Sequence, residues 1–308
     1  MGVATAAILF STGGAAIKSC ALSGWQIACY RSAIAGLLLA AAFPRCAWPK
    51  SWKEPLVGLA YAGTMLLFVH ANKLTLAADV IFLQSTAPVY VSLLAPWLLH
   101  ERVRPRDLVL LALIIAGAAM CLLGGRPASA TAPQPFLGDM LGLASGATWA
   151  LTLTGLRYLA KPGTAKTSEG RNPAVTAALW GNIAACLACA PLAIPQGGPG
   201  PRDLIALLYL GVFQIGLAYI CLTWAMKATP ALQAALLLQL EPTLNPLWAW
   251  LVHGEAPGGL ALAGGGLILA SALAATLLGE RPSPVRGSGA GPTPSAGAAG
   301  PGPATRAR

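Results

Sequence analysis

Two residues of opposite charge stand inside otherwise apolar stretches of this 308-residue chain: Arg31 in ACYRSAIAGLLLA and Glu241 in LLQLEPTLNPLWAW. A guanidinium grips a carboxylate through a fork of donors, and a carboxylate holds an amine or a proton. Pro242 follows Glu241 directly and frees a backbone carbonyl, which loosens the helix around the acid. Two readings of Glu241 stay open. It binds a ligand, or it is a structural acid that pairs with Arg31 or caps a broken helix.

Around these charges the sequence offers further candidates for one binding cavity. His70 can titrate in the physiological range, or it is a hydrogen-bonded histidine of the core. Gln84, Gln214, Gln239, Asn182 and Asn245 supply neutral hydrogen-bonding groups at helix depth, some of which tie helices together, and Gln84 and Asn245 are the cavity candidates. Trp149, Trp180 and Trp224 lie inside apolar segments, where an indole stacks on a cationic or aromatic ligand or simply packs. Trp48 and Trp52 sit beside basic loops, as an interfacial belt requires.

No catalytic set emerges from this inventory. A membrane-embedded enzyme needs convergent nucleophile, base or metal ligands, and here the acids and histidines are scattered over different segments. Cys186 and Cys189 have half the spacing of a zinc site, with no second pair or histidine at metal-site spacing. The small-residue patterns at Gly142 and Gly146, and at Gly264 to Gly266, suit close helix approach. They do not suit a phosphate cradle, because no Gly-Lys-Ser/Thr follows. The expectation is therefore no metal, no cofactor and no enzyme activity.

The segments that carry these residues must sit in lipid. With 56% apolar and 10% charged residues the chain cannot form a normal aqueous surface. Its formal charge of +10 lies between apolar runs rather than on a basic face with interleaved aromatics, so nucleic acid is not an expected partner. Seven cysteines, most of them in apolar runs, do not read as a disulfide framework.

Spanning helices need about 20 apolar residues, and ten such segments are expected: 2–18, 25–43, 55–74, 79–98, 105–124, 137–158, 173–194, 203–226, 231–252 and 258–278. The first is read as a helix rather than a cleaved signal because no basic run precedes it. Residues 280–308, rich in Gly, Pro, Ala and Ser, read as a disordered tail.

Basic residues set the orientation. One side holds Arg45, Lys50, Lys53, Arg102, Arg104, Arg106, Arg157, Lys161, Lys166, Arg171 and Lys227; the other holds only Lys18, Lys73, Arg126 and Arg202. Both termini are then cytoplasmic, in a bacterial-type inner membrane.

A shift of 154 residues aligns 71–123 with 225–277, superposing Lys73 on Lys227, Thr75 on Thr229, Pro88 on Pro242 and Glu101 on Glu255. A shift of 139 sets Phe10 opposite Trp149 and Lys18 opposite Arg157. The halves are 1–125 and 137–279. Five spans in each half force the second to enter the membrane upside down, and inverted repeats are the design logic of secondary transporters.

The helix that carries a proline and ends on a glutamate, TAPVYVSLLAPWLLHE (86–101) and again LEPTLNPLWAWLVHGE (240–255), resembles the EamA family of the drug/metabolite transporter superfamily. Arg31 in the second segment and the Gly/Ala-rich final helix of each half fit the same pattern. The resemblance covers residues 2–279. It implies an all-α membrane protein of ten helices in two inverted five-helix repeats, with a central cavity. It also implies export of a small metabolite such as an amino acid, an amino-acid derivative or an amine drug.

Within that frame Glu101 and Glu255 have a symmetrical structural duty, a salt bridge or a loop anchor. The second half departs from the pattern at Pro246 and at Gly254, which stands where the first half has His100. The expected partners are a small-molecule substrate, the lipid bilayer and, as a candidate coupling ion, the proton. A passive channel or receptor on the same scaffold, like the embedded enzyme, is the alternative. Nothing in the sequence sets an oligomeric state.

Overall fold

The computed structural model describes residues 2–100, 105–124, 128–161 and 171–278. The expected tail at 280–308 and Glu101 lie outside the described residues. The chain is all-helical, and no β-strand occurs among the described residues.

The first half begins with α1 (Gly2–Ser11) and α2 (Gly13–Ser19), one helical run interrupted at Thr12. Next comes α3 (Gly24–Ala42), which Ser23 and Gln26 start with a reciprocal capping box that satisfies two of the orphan N-terminal amides. Then follow α4 (Lys53–Leu74), α5 (Ala77–Gln84), α6 (Ala87–Leu99) and α7 (Pro105–Leu123).

The second half runs through α8 (Pro135–Ala160), α9 (Pro173–Ala193) and α10 (Pro201–Tyr209), each opened by a proline whose missing N–H costs nothing there. A π-helical stretch, Leu210–Leu217, leads into α11 (Ala218–Ala225). It ends with α12 (Ala231–Leu237), α13 (Leu240–His253) and α14 (Gly259–Leu278).

Five of these stretches are long and apolar enough to cross a bilayer: Gly24–Ala42, Lys53–Leu74, Ala77–Leu99, Pro173–Gln196 and Pro201–Ala225. Shorter apolar helices run through Leu108–Leu123 and Gly259–Ser271. The polarity of the bundle is inside out for a protein in water. Large apolar residues point outward, Trp97 being 86% and Leu37 71% exposed, while Arg31, Asn182 and Asn245 are fully buried. A solvent of hydrocarbon produces that distribution.

The bundle is centred on α4, which packs against α8 and α9, while α3 lies on α9 and α7 on α14. Close approach of α4 and α9 depends on Gly58 and Gly181: a methyl group on Gly58 would come within 2.8 Å of the Ala177 carbonyl. Packing of backbone on backbone is how helices associate where apolar burial gives no advantage over lipid.

Two helical runs break in the middle. In the first half, α5 stops and α6 starts across Ser85 and Thr86; in the second, α12 gives way to α13 across Leu238 and Gln239. Pro88 and Pro242 each lie just inside the restarted helix, where a missing N–H is tolerated. The two restarted helices also end alike. His100 caps α6 in the left-handed conformation at φ 54°, and Gly254 caps α13 at φ 67°. The glycine that departs from the sequence pattern therefore holds the same backbone geometry, and holds it without the Cβ clash that His100 sustains.

Candidate functional site

The breaks matter because they deliver polar side chains to the middle of the bundle. Gln84 is the last residue of α5, and Glu241 lies in the first turn of α13. A carboxylate there interacts favourably with the positive end of the helix dipole. Both side chains are more than nine-tenths buried, and both line a central cavity of ≈ 20 Å³ with Arg31, Gln214, Tyr219 and Trp149. A second cavity of the same size adjoins it, sharing Gln84, Trp149 and Glu241 and running between the two breaks past Ser85 and Gln239. One water needs roughly 10–15 Å³ on this measure, so each cavity holds about one water and the centre is closed around no larger guest.

Arg31, in the middle of α3, is completely buried. Its Nη2 donates to the Met65 carbonyl at 3.4 Å and approaches the Met65 sulfur at 3.3 Å. Its Nε and Nη1 have no hydrogen-bond partner. No ion pair joins it to Glu241, and no hydrogen bond or ion pair reaches the Glu241 carboxylate among the described residues. Two buried, unpaired charges of opposite sign thus face one small cavity. Such groups are costly in lipid, and the structural pairing of Glu241 with Arg31 is not what the fold contains.

An aromatic wall completes the site. Tyr219 sits at its centre, with ring centroids 5.3 Å from Phe10, 4.6 Å from Tyr61 and 6.1 Å from Trp149, all edge-on. Phe10 and Trp149, set opposite each other by the 139-residue shift, meet at 5.9 Å. Tyr61 donates to Asn182 Oδ1 at 3.0 Å and is satisfied. The Tyr219 hydroxyl and Gln214 Oε1 are buried without a partner. The π-helical stretch carries Gln214, and such widened turns commonly sit at functional sites.

The other expected cavity residues lie elsewhere. His70 is packed edge-on against Trp25 at 4.3 Å, with Nδ1 2.8 Å from the Leu66 carbonyl, on the far side of α4 from the cavity lining. Trp180 donates to the Ala47 carbonyl at 3.0 Å, beside Trp48 at one end of the bundle. Trp224 is half exposed on the outer surface, with the Lys227 ammonium 4.0 Å over its ring. Asn245 is fully buried one turn beyond Glu241, pressed against Gly14, outside both cavities. Helices such as α3, α4 and α9 are apolar on every side, so composition alone does not tell which face turns inward.

At Glu255, Oε1 pairs with Lys18 Nζ at 2.7 Å, and Oε2 accepts from the Ala77 amide at 3.2 Å. Among the described residues no three His, Cys, Asp or Glu side chains converge as a metal site. Cys186 lies with its sulfur 3.6 Å from that of Cys29.

The model of the EamA-like transporter family matches residues 1–123 and, a second time, residues 136–284. The chain belongs to this family. It is accordingly a multi-pass membrane permease of the drug/metabolite transporter type, and the small central site lies among helices of both halves of an EamA-like transporter. No curated protein matches the sequence. Among the solved structures that match is a crystal structure similar at a TM-score of 0.65 and 23% identity, covering 90% of this chain and 96% of its own. At that identity the likeness is one of fold.

Proposed function

We propose that this EamA-like transporter is a secondary carrier that exports a small zwitterionic or amine-bearing metabolite, an amino acid or a close derivative, by alternating access. The reading rests on one observation: Arg31 and Glu241 are buried, unpaired and exposed to the same cavity. Arg31 takes a carboxylate through its free donors, Glu241 takes an ammonium group, and the aromatic wall covers the apolar body. The metabolite supplies the two counter-charges that the fold leaves out.

In this reading ten helices cross a bacterial-type inner membrane with both termini in the cytoplasm, and the halves 1–125 and 137–279 are inverted repeats. Exchange-related packing supports it: α4 lies on α8 as α11 and the π-helical stretch lie on α1, α4 on α9 as the π-helical stretch lies on α3, and α5 on α13 as α12 lies on α6. Helix breaks at equivalent positions support it as well, because broken helices at the midplane build transporter sites. A cavity the size of one water corresponds to a state closed around no cargo. Binding then selects a more open state.

The test is counterflow into proteoliposomes loaded with one unlabelled amino acid or amine at a time. Saturable uptake of the labelled compound, lost in Glu241→Gln and in Arg31→Met, is the expected result. Non-saturating flux of any small solute would instead mark a channel.

A further inference from the structure

Lys18, the last basic residue of α2, does more than pair with Glu255. Its Nζ also donates to the main-chain carbonyls of Thr75 at 3.0 Å and Thr131 at 2.8 Å. Glu255, at the end of α13, takes the Ala77 amide. The turn from α4 to α5 is therefore held from both sides, its carbonyl by the lysine and its amide by the glutamate. The ion pair itself is almost completely enclosed, with side-chain exposures of 8% and 3%.

The four elements gathered here lead to one part of the cavity wall: α2 continues α1 with Phe10, α4 bears Thr64 and Phe68, α5 ends on Gln84, and α13 starts with Glu241. Along the remaining seam α13 is fastened to α1 and α2 by Trp248 on Ser11 at 3.1 Å and by His253 at 2.8 Å from the Ala15 carbonyl. The α4–α5 turn is thus clamped to the α2–α13 seam through Lys18 and Glu255. At the opposite end Arg157, which the 139-residue shift sets on Lys18, caps the carbonyls of Met226 and Lys227 at 2.8 and 3.0 Å.

We propose that Lys18 and Glu255 form a latch that shuts the central cavity at the Lys18 end, and that this end opens only when the pair parts. The proposal rests on the reading of the chain as an alternating-access carrier. An ionic latch suits that duty better than an apolar plug. Closed, the pair gains Coulomb attraction against a desolvation cost of similar size; opened, both charges regain water. The two states are left close in free energy, as a cycling device requires.

The experiment uses the full chain with its seven native cysteines replaced by serine and Thr64→Cys as a reporter in the cavity wall. The probe is a membrane-impermeant cationic methanethiosulfonate applied from the Lys18 side. Lys18→Gln and Glu255→Gln are each expected to raise the labelling rate about tenfold, the shift that ~1.4 kcal/mol of lost closure gives. The conservative variant Lys18→Arg, which keeps the charge and the donors to the Thr75 and Thr131 carbonyls, is expected to stay within about twofold of the parent.

An unchanged rate in both neutral variants overturns the latch. A rate that rises as far in Lys18→Arg as in the neutral variants overturns it too, since general loosening then explains the effect. Labelling needs no substrate, so the latch and the transport reading fail separately: a chain that gates as described but moves nothing sinks only the latter.

Discussion

The side-chain amide of Gln239 donates a 2.7 Å hydrogen bond to the main-chain carbonyl of Ser85, and the two residues stand 154 positions apart, the same interval that aligns the halves of the sequence. Each lies at the break in its own half. The break of the first half leaves a carbonyl without a helical partner, and the break of the second supplies the donor. Replacing Gln239 by Leu leaves that buried carbonyl unsatisfied, which costs about 1–3 kcal/mol. The expected outcome is a lower melting temperature in detergent, and an unchanged melt would show that the two breaks are not coupled.

Arg31 and Glu241 make a sharper case because function and stability are expected to move in opposite directions. Exchanging a buried charge for an apolar or neutral group of similar volume is neutral or stabilising, by about 1–4 kcal/mol where ion pairs have been replaced. Arg31→Met and Glu241→Gln are therefore expected to melt at or above the temperature of the parent while transporting at least about tenfold more slowly. Thermal melts beside flux measurements check this, and a variant that simply unfolds would place the charge in the architecture instead.

The ion pair of Arg171 with Glu54 behaves otherwise. It is buried, and Arg171 also donates to the Trp48 carbonyl at 3.1 Å and to Thr176 Oγ1 at 3.2 Å. Removing one partner strands the other charge, so Arg171→Ala and Glu54→Ala are each expected to destabilise by about 3–5 kcal/mol. The yield of folded protein after detergent extraction reads this out.

At the ends of α6 and α13 the left-handed caps give a paired test. Gly254→Ala places a Cβ at φ 67° and is expected to cost about 1 kcal/mol, whereas His100→Gly relieves a comparable strain at φ 54°. Melting temperatures that move in opposite directions are the expected result.

Much of this arrangement was legible in the sequence for a physical reason: a charge or a proline in an apolar segment is expensive, so it is placed rather than scattered. Arg31 and Glu241 announced themselves that way, Gln84 did so as an amide at helix depth, and the repeat brought Phe10 opposite Trp149. Azimuth was not legible. His70, Trp180 and Trp224 lie in helices without a polar stripe, and only packing decides that His70 turns to Trp25 and Trp224 turns outward. Tyr219 and Tyr61 passed unnoticed because a tyrosine in an apolar run reads as ordinary core. Gln214 reaches the cavity through a π-helical stretch that no periodicity in the sequence marks.

If Arg31 and Glu241 hold the two charged ends of one small cargo, counterflow into proteoliposomes must depend on both ends of that cargo. Labelled amino acids are compared with their amides, which lack the carboxylate, and with their N-acetyl forms, which lack the ammonium group. Saturable counterflow is expected for the intact zwitterion, weakened for the amide as in Arg31→Met and for the N-acetyl form as in Glu241→Gln. Counterflow at the parent rate in both variants would contradict it.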